Sequence, residues 1–145
     1  MLPNSLITLG ELAWMRKKLS IVILDSDNDH YLGLCAMLEE KRYRAIQMPS
    51  LESMQKYLQK NTCLAVILDI EHESVDNRII RNLTMNYPAV YFFGMSKRHY
   101  NPELREAICY HIFVCLNKPV NPDELYYWLR SIDEDESDPN NHCKV

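Results

Sequence analysis

Three charged residues stand where apolar runs stop. Residues 19–24 (LSIVIL) end at Asp25, residues 64–68 (LAVIL) end at Asp69, and residues 112–116 are followed by Asn117-Lys118-Pro119. If these runs lie side by side as strands, two carboxylates from different strands meet one ammonium. A lone Asp after a strand is more often a turn former or helix cap than a site. Three charged groups stopping three apolar strands on one sheet edge are a stronger signal, because ligands of such sheets bind where convergent polar groups close a crevice.

The elements that would position them follow from periodicity. Residues 19–24 are β-branched and apolar on both faces, as a buried parallel strand requires. Residues 29–40 place Tyr31, Leu34, Cys35 and Leu38 at helical spacing. Residues 43–48 read as a second strand, and Ser50 can cap a helix to about residue 59 with Leu51, Met54, Tyr57 and Leu58 inward. Residues 64–68 are the third strand, followed by a helix over 75–85 with Ile79, Ile80 and Leu83 inward. Pro88 opens a fourth strand over 89–93. Asn101-Pro102-Glu103 has N-cap and N1 chemistry for a helix to about residue 109. Residues 112–116 are the fifth strand, and Asn121-Pro122-Asp123-Glu124 starts a last helix, with Glu124 placed for a capping box and Leu125, Trp128 and Leu129 inward.

Five strand-then-helix repeats predict an α/β fold, a doubly wound five-stranded parallel sheet of (βα)5 type, with ligands beyond the carboxyl ends of the strands. The predicted organisation is one domain over residues 19–132. Residues 1–18 form an N-terminal leader, helical if Leu6, Leu9, Leu12, Ala13 and Trp14 share a face. Residues 133–145 form an acidic, solvated tail.

Composition narrows the function classes. A chain of 145 residues that is 47% hydrophobic can bury a core without disulfides or a structural metal. Its 3 glycines are too few for a glycine-rich phosphate cradle, so a flavin or oxidoreductase reading has little support. The net charge of −4 lies in the tail, which carries five acids and one base, leaving a neutral body and no electrostatic case for nucleic acid. Five cysteines, an odd number without a Cys-x-x-Cys pair, point to a reduced, cytoplasmic setting. The basic cluster Arg16-Lys17-Lys18 follows rather than precedes the apolar residues of the N-terminus, the reverse of a signal peptide, and no apolar run is long enough to span a membrane.

The runs IVILDSD, LAVILDI and NKPVNPDEL resemble, in order and spacing, the three signature blocks of response-regulator receiver domains, which are flavodoxin-like and CheY-like in fold. The resemblance covers about residues 19–132. It implies a stand-alone receiver in two-component phosphorelay signalling, a switch rather than an enzyme beyond its own phosphorylation and dephosphorylation. Asp69 would accept a phosphoryl group from a sensor histidine kinase or phosphotransfer protein. Asp25, Asp69 and the backbone carbonyl of Glu71 would hold Mg²⁺, and Asp27 would join them if its loop rearranged. Lys118 would pair with the phosphoryl oxygens. Mg²⁺ prefers octahedral oxygen ligands, and a transferring phosphoryl group needs its charge neutralised by metal and ammonium. Output would pass to a protein partner, or through a homodimer, over roughly residues 101–132.

The chain departs from the family pattern at several positions. Ser26 stands where the family has a second acid and a direct metal ligand, which weakens the expected Mg²⁺ site. The Ser or Thr at the end of the fourth strand is Phe93 counted from Pro88, or Ser96 counted back from Lys118. Cys115 replaces the switch aromatic of the fifth strand, with Phe113 two residues earlier expected on the same face. Glu71-His72-Glu73-Ser74 replaces the usual Met-Pro-Gly, and two added acids disfavour a dianion nearby. These departures define an alternative: a degenerate pseudo-receiver acting as a phosphorylation-independent interaction module.

Two metal motifs fail on inspection. Asp25, Asp27 and Asp29 mimic a calcium loop, but His30 and Ala36 occupy the positions that need Gly and Glu. Cys109, His111 and Cys115 have loose zinc-like spacing without a fourth ligand.

Overall fold

The computed structural model describes residues 20–97 and 111–135, with side chains to Ile132. The leader 1–18, the helix expected over 101–109 and most of the tail lie outside the described residues.

Five strands form one parallel sheet: β1 (Ser20–Leu24), β2 (Arg44–Gln47), β3 (Ala65–Asp69), β4 (Tyr91–Ser96) and β5 (Val114–Asn117). Their order is β2-β1-β3-β4-β5, all pairs parallel. The α/β fold class read from the sequence is therefore observed. Every residue of β1, β3 and β4 is buried, as strands covered on both faces must be.

Four helices are described: α1 (Asn28–Glu40), α2 (Leu51–Lys60), α3 (Asn77–Asn86) and α4 (Pro122–Asp135). Each starts where a side chain satisfies an orphan backbone donor. Asp27 accepts from His30 N at 3.2 Å, Ser50 from Ser53 N at 3.1 Å, Asp76 from Ile79 N at 2.8 Å, and Asn121 from Glu124 N at 3.1 Å. The Asp76 cap explains why α3 begins two residues later than the apolar pattern suggests. Beyond α1, Arg42 adopts a left-handed φ of 68°, and its N–H bonds Glu39 O at 3.0 Å while Tyr43 N bonds Leu38 O at 3.0 Å.

Alternation along the strands divides the core. Val22, Leu24, Val66, Leu68 and Phe92 face α2 and α3, meeting Met54, Leu58, Ile80 and Leu83. Ile21, Ile23, Ile67, Phe93, Met95 and Leu116 face α1 and α4, meeting Leu34, Leu38, Leu125, Leu129 and Ile132. The inward faces expected for these helices are the faces they bury.

The first three strands lie within a residue of the sequence expectation, while β4 and β5 shift further, and both move toward the site. β4 runs over Tyr91–Ser96 rather than 89–93, because Val90 N bonds Tyr87 O at 3.1 Å and keeps that segment in a turn. β5 runs over Val114–Asn117 rather than 112–116.

Candidate functional site

The register delivers the site. Leu24 pairs with Leu68, so Asp25 and Asp69 emerge from adjacent strands at one rim. Asp69 pairs with Met95, Ser96 pairs with Asn117, and Lys118 is the next residue, anchored by its N–H to Ser96 O at 2.8 Å. Lys118 Nζ then lies 2.8 Å from Asp25 Oδ1 and 3.3 Å from Asp69 Oδ2. All three side chains are nearly sealed from solvent, at 3% exposure for Lys118, 0% for Asp25 and 2% for Asp69. Such desolvation is tolerable only with charge pairing and hydrogen bonding.

Burial alone would push the Asp69 carboxyl up. The Ser26 hydroxyl, the Glu71 N–H and the Lys118 ammonium outweigh it and hold the group below its ordinary range. Burial likewise works against the charged form of Lys118, but hydrogen bonding to Asp25 and the charges of both carboxylates raise its pKa. Both shifts favour the charged forms, so a charged Asp69 carboxylate faces a charged Lys118 ammonium at neutral pH.

Neutral donors complete it. Ser26 Oγ donates to Asp69 Oδ2 at 2.5 Å and Ser26 N to the same oxygen at 3.3 Å, while Glu71 N donates to Asp69 Oδ1 at 3.0 Å. Asp27 N donates to Asp25 Oδ1 at 3.0 Å. His30 Nδ1 lies 2.6 Å from Asp25 Oδ2, and its Nε2 accepts from Val120 N at 3.1 Å. A ring nitrogen that accepts has no proton, so the donor to Asp25 is Nδ1–H. His30 thereby ties Asp25 to the loop just beyond the cis Lys118–Pro119 peptide.

The sequence-derived residues fall into two groups. Asp25, Asp69 and Lys118 converge, with Ser96 buried at the end of β4 on the same rim. Phe93 sits mid-sheet, wholly buried and paired with Ile67 and Val114, so of the two it is Ser96 that stands at the rim. Asp27 directs its carboxylate elsewhere, capping α1; the side chain of Glu71, whose backbone carbonyl is the expected ligand, accepts through Oε1 from Lys97 N at 3.0 Å. Phe113 does not share a face with Cys115. It precedes β5, where strict alternation has not begun, and packs against Phe93 and Trp128, while Cys115 faces the opposite core.

The donor set does not fit a divalent cation in this arrangement. All four oxygens of Asp25 and Asp69 already accept from the protein's own N–H or O–H groups. Among the described residues no cluster of three or more His, Cys, Asp or Glu side chains could hold a metal ion. Mg²⁺ demands near-ideal octahedral oxygen geometry, and here Ser26 presents a hydrogen to Asp69 rather than a charge to a cation.

His30 was not legible as a site residue. Its position five residues after Asp25, one turn into a helix whose N-terminus abuts the strand end, is the signal that could have found it.

No family model and no curated protein matches the sequence. Solved structures do match the fold. The signal receiver domain of an HD domain-containing protein from Pseudomonas fluorescens Pf-5 is 17% identical, with 83% of this chain and 98% of that one covered and a TM-score of 0.73. The beryllofluoride-activated NtrC4 receiver domain dimer is 18% identical, with 81% and 98% covered and a TM-score of 0.72. A two-component response regulator from Clostridium difficile is 22% identical, with 79% and 95% covered and a TM-score of 0.70. The fold of this chain is that of response-regulator receiver domains. Among the described residues no helix is long and apolar enough to cross a membrane.

Proposed function

We propose that the chain is a receiver-type switch in two-component signal transduction, with Asp69 as the phosphoryl acceptor. The observation that carries this reading is Lys118 Nζ bridging Asp25 and Asp69 at the rim of the sheet. A carboxylate oxygen of Asp69 attacks phosphorus, and the donor's leaving group departs with the bonding pair, leaving an acyl phosphate. Lys118 supplies the positive charge that the added phosphoryl oxygens need, and Ser96 offers a hydroxyl from the neighbouring strand. The new charge at one rim biases the loops around it, and a protein partner reads the change. The donor in this reading is a sensor histidine kinase or phosphotransfer protein in a cytoplasmic setting. The output surface lies within residues 101–132, where Tyr127 is exposed. The receiver dimer among the similar structures supports a second copy of the chain as one form of partner.

A specific observation favours a second reading, the phosphorylation-independent interaction module: Ser26 already donates to Asp69 from the position where a metal-binding acid is expected. The two readings separate on one experiment. Wild type and Asp69→Asn are incubated with a small acyl-phosphate donor, with and without Mg²⁺, and weighed intact. A one-phosphoryl adduct lost in Asp69→Asn supports the switch; its absence from wild type throughout favours the interaction module.

A further inference from the structure

We infer that Ser26 and His30, by donating hydrogen bonds to Asp69 and Asp25 beside Lys118, take over the positioning work of a divalent cation, so that the acidic pocket is closed by the protein itself and does not take Mg²⁺. The inference deepens the proposed receiver reading and rests on it only for the location of the pocket.

All four carboxylate oxygens of Asp25 and Asp69 are occupied. Asp25 Oδ1 receives Lys118 Nζ and Asp27 N, and Asp25 Oδ2 receives His30 Nδ1–H. Asp69 Oδ1 receives Glu71 N, and Asp69 Oδ2 receives Ser26 N, Ser26 Oγ–H and Lys118 Nζ. Every buried side-chain N or O among the described residues has a partner. A cation bridging the two carboxylates would have to displace the Ser26 hydroxyl from Asp69 or the imidazole from Asp25. Displacing the hydroxyl gives up a short bond to an ionised acceptor, stronger than a neutral one. Displacing the imidazole also strands the Val120 N–H that Nε2 accepts, and a buried unpaired N–H is costly. A neutral hydroxyl gives Mg²⁺ little in return.

His30 is a positioning residue in this scheme. It contacts no reacting atom but fixes Asp25 against the Lys118–Pro119–Val120 turn. Ser26 is the residue that decides between closure and cation binding.

The test is a Mn²⁺ titration of the full chain followed by amide NMR, run beside Ser26→Asp and Asp69→Asn. Because no phosphodonor is present, its outcome is separate from whether Asp69 is phosphorylated. We expect no saturable broadening at the Ser26 and Glu71 amides of wild type, and an affinity gain in folded Ser26→Asp of at least about tenfold, the low end of what even an outer-shell partner contributes. Saturable, Asp69-dependent broadening in wild type overturns the inference. So does a folded Ser26→Asp that gains nothing. Should that variant not fold, the His30 ring nitrogens of wild type provide the measurement: an Nδ1–H tautomer unchanged by millimolar Mg²⁺ supports the closed pocket, and its loss on adding Mg²⁺ overturns it.

Discussion

Ser26 Oγ lies 2.5 Å from Asp69 Oδ2, nearer than Lys118 Nζ at 3.3 Å to the same oxygen. The Asp69 carboxylate is thus held jointly by a neutral hydroxyl from β1's end and a charge from β5's end. Asp25 shares the lysine from the other side. Removing any one member leaves a defined deficit, and the following outcomes are expected from it.

Lys118→Ala leaves two buried carboxylates without their common cation. Breaking a buried ion pair by deleting one partner costs about 3–5 kcal/mol, read as a lower denaturant midpoint at unchanged slope. Asp69→Asn in the Lys118→Ala background should recover part of the loss, with a coupling energy of about 0.5–3 kcal/mol. Simple additivity of the two substitutions would show that Lys118 does not stabilise Asp69.

The acid limb of stability should belong partly to Asp69. Its folded pKa is depressed, so its contribution is complete above the ordinary value of 3.8 and is lost as pH falls through the lower folded value. Lys118 is shifted the other way, so its contribution is complete below the ordinary value of 10.5 and is lost as pH rises through the higher folded value. Denaturant midpoints measured across pH should therefore fall at acid pH in wild type and fall less steeply in Asp69→Asn. An equal acid slope in the two proteins contradicts the assignment.

Phe93 fills the centre of the face that α1 and α4 cover, with no exposure and a stacked Phe113 at 5.7 Å. Phe93→Ala should cost about 3–5 kcal/mol in equilibrium unfolding. A loss near zero would mean that this residue faces solvent, and with it that the β4 register, and the rim position of Ser96, are different.

The three described cysteines, Cys35, Cys63 and Cys115, should be chemically quiet. Burial pushes the Cys63 thiol up to about 12, and burial also raises Cys35 and Cys115. Timed alkylation at neutral pH with peptide mapping should find Cys63 the slowest of these three, since the thiolate is the reactive form. Rapid labelling of Cys63 would contradict its burial against α2.

Much of this was legible in the letters. LSIVIL and LAVIL are apolar without alternation, which only strands covered on both faces need, and each stops at the Asp that reaches the rim. Ser50 and Asn121 announced their helices because a cap is a local event. Ser96 was ambiguous against Phe93, because the end of β4 is fixed by pairing with Asp69 and Asn117, residues distant in sequence. His30 was hidden for the same reason: its Val120 partner lies 90 positions away. The Phe113 expectation failed because alternation holds only inside a strand, and β5 begins one residue later.

The central claim concerns one carboxylate. Borohydride reduces an aspartyl phosphate to homoserine, so wild-type protein treated with a small acyl-phosphate donor, reduced and peptide-mapped reports the acceptor directly. The account predicts homoserine at position 69 and none at position 25. Homoserine at another aspartate, or unmodified Asp69 after exhaustive treatment, contradicts it.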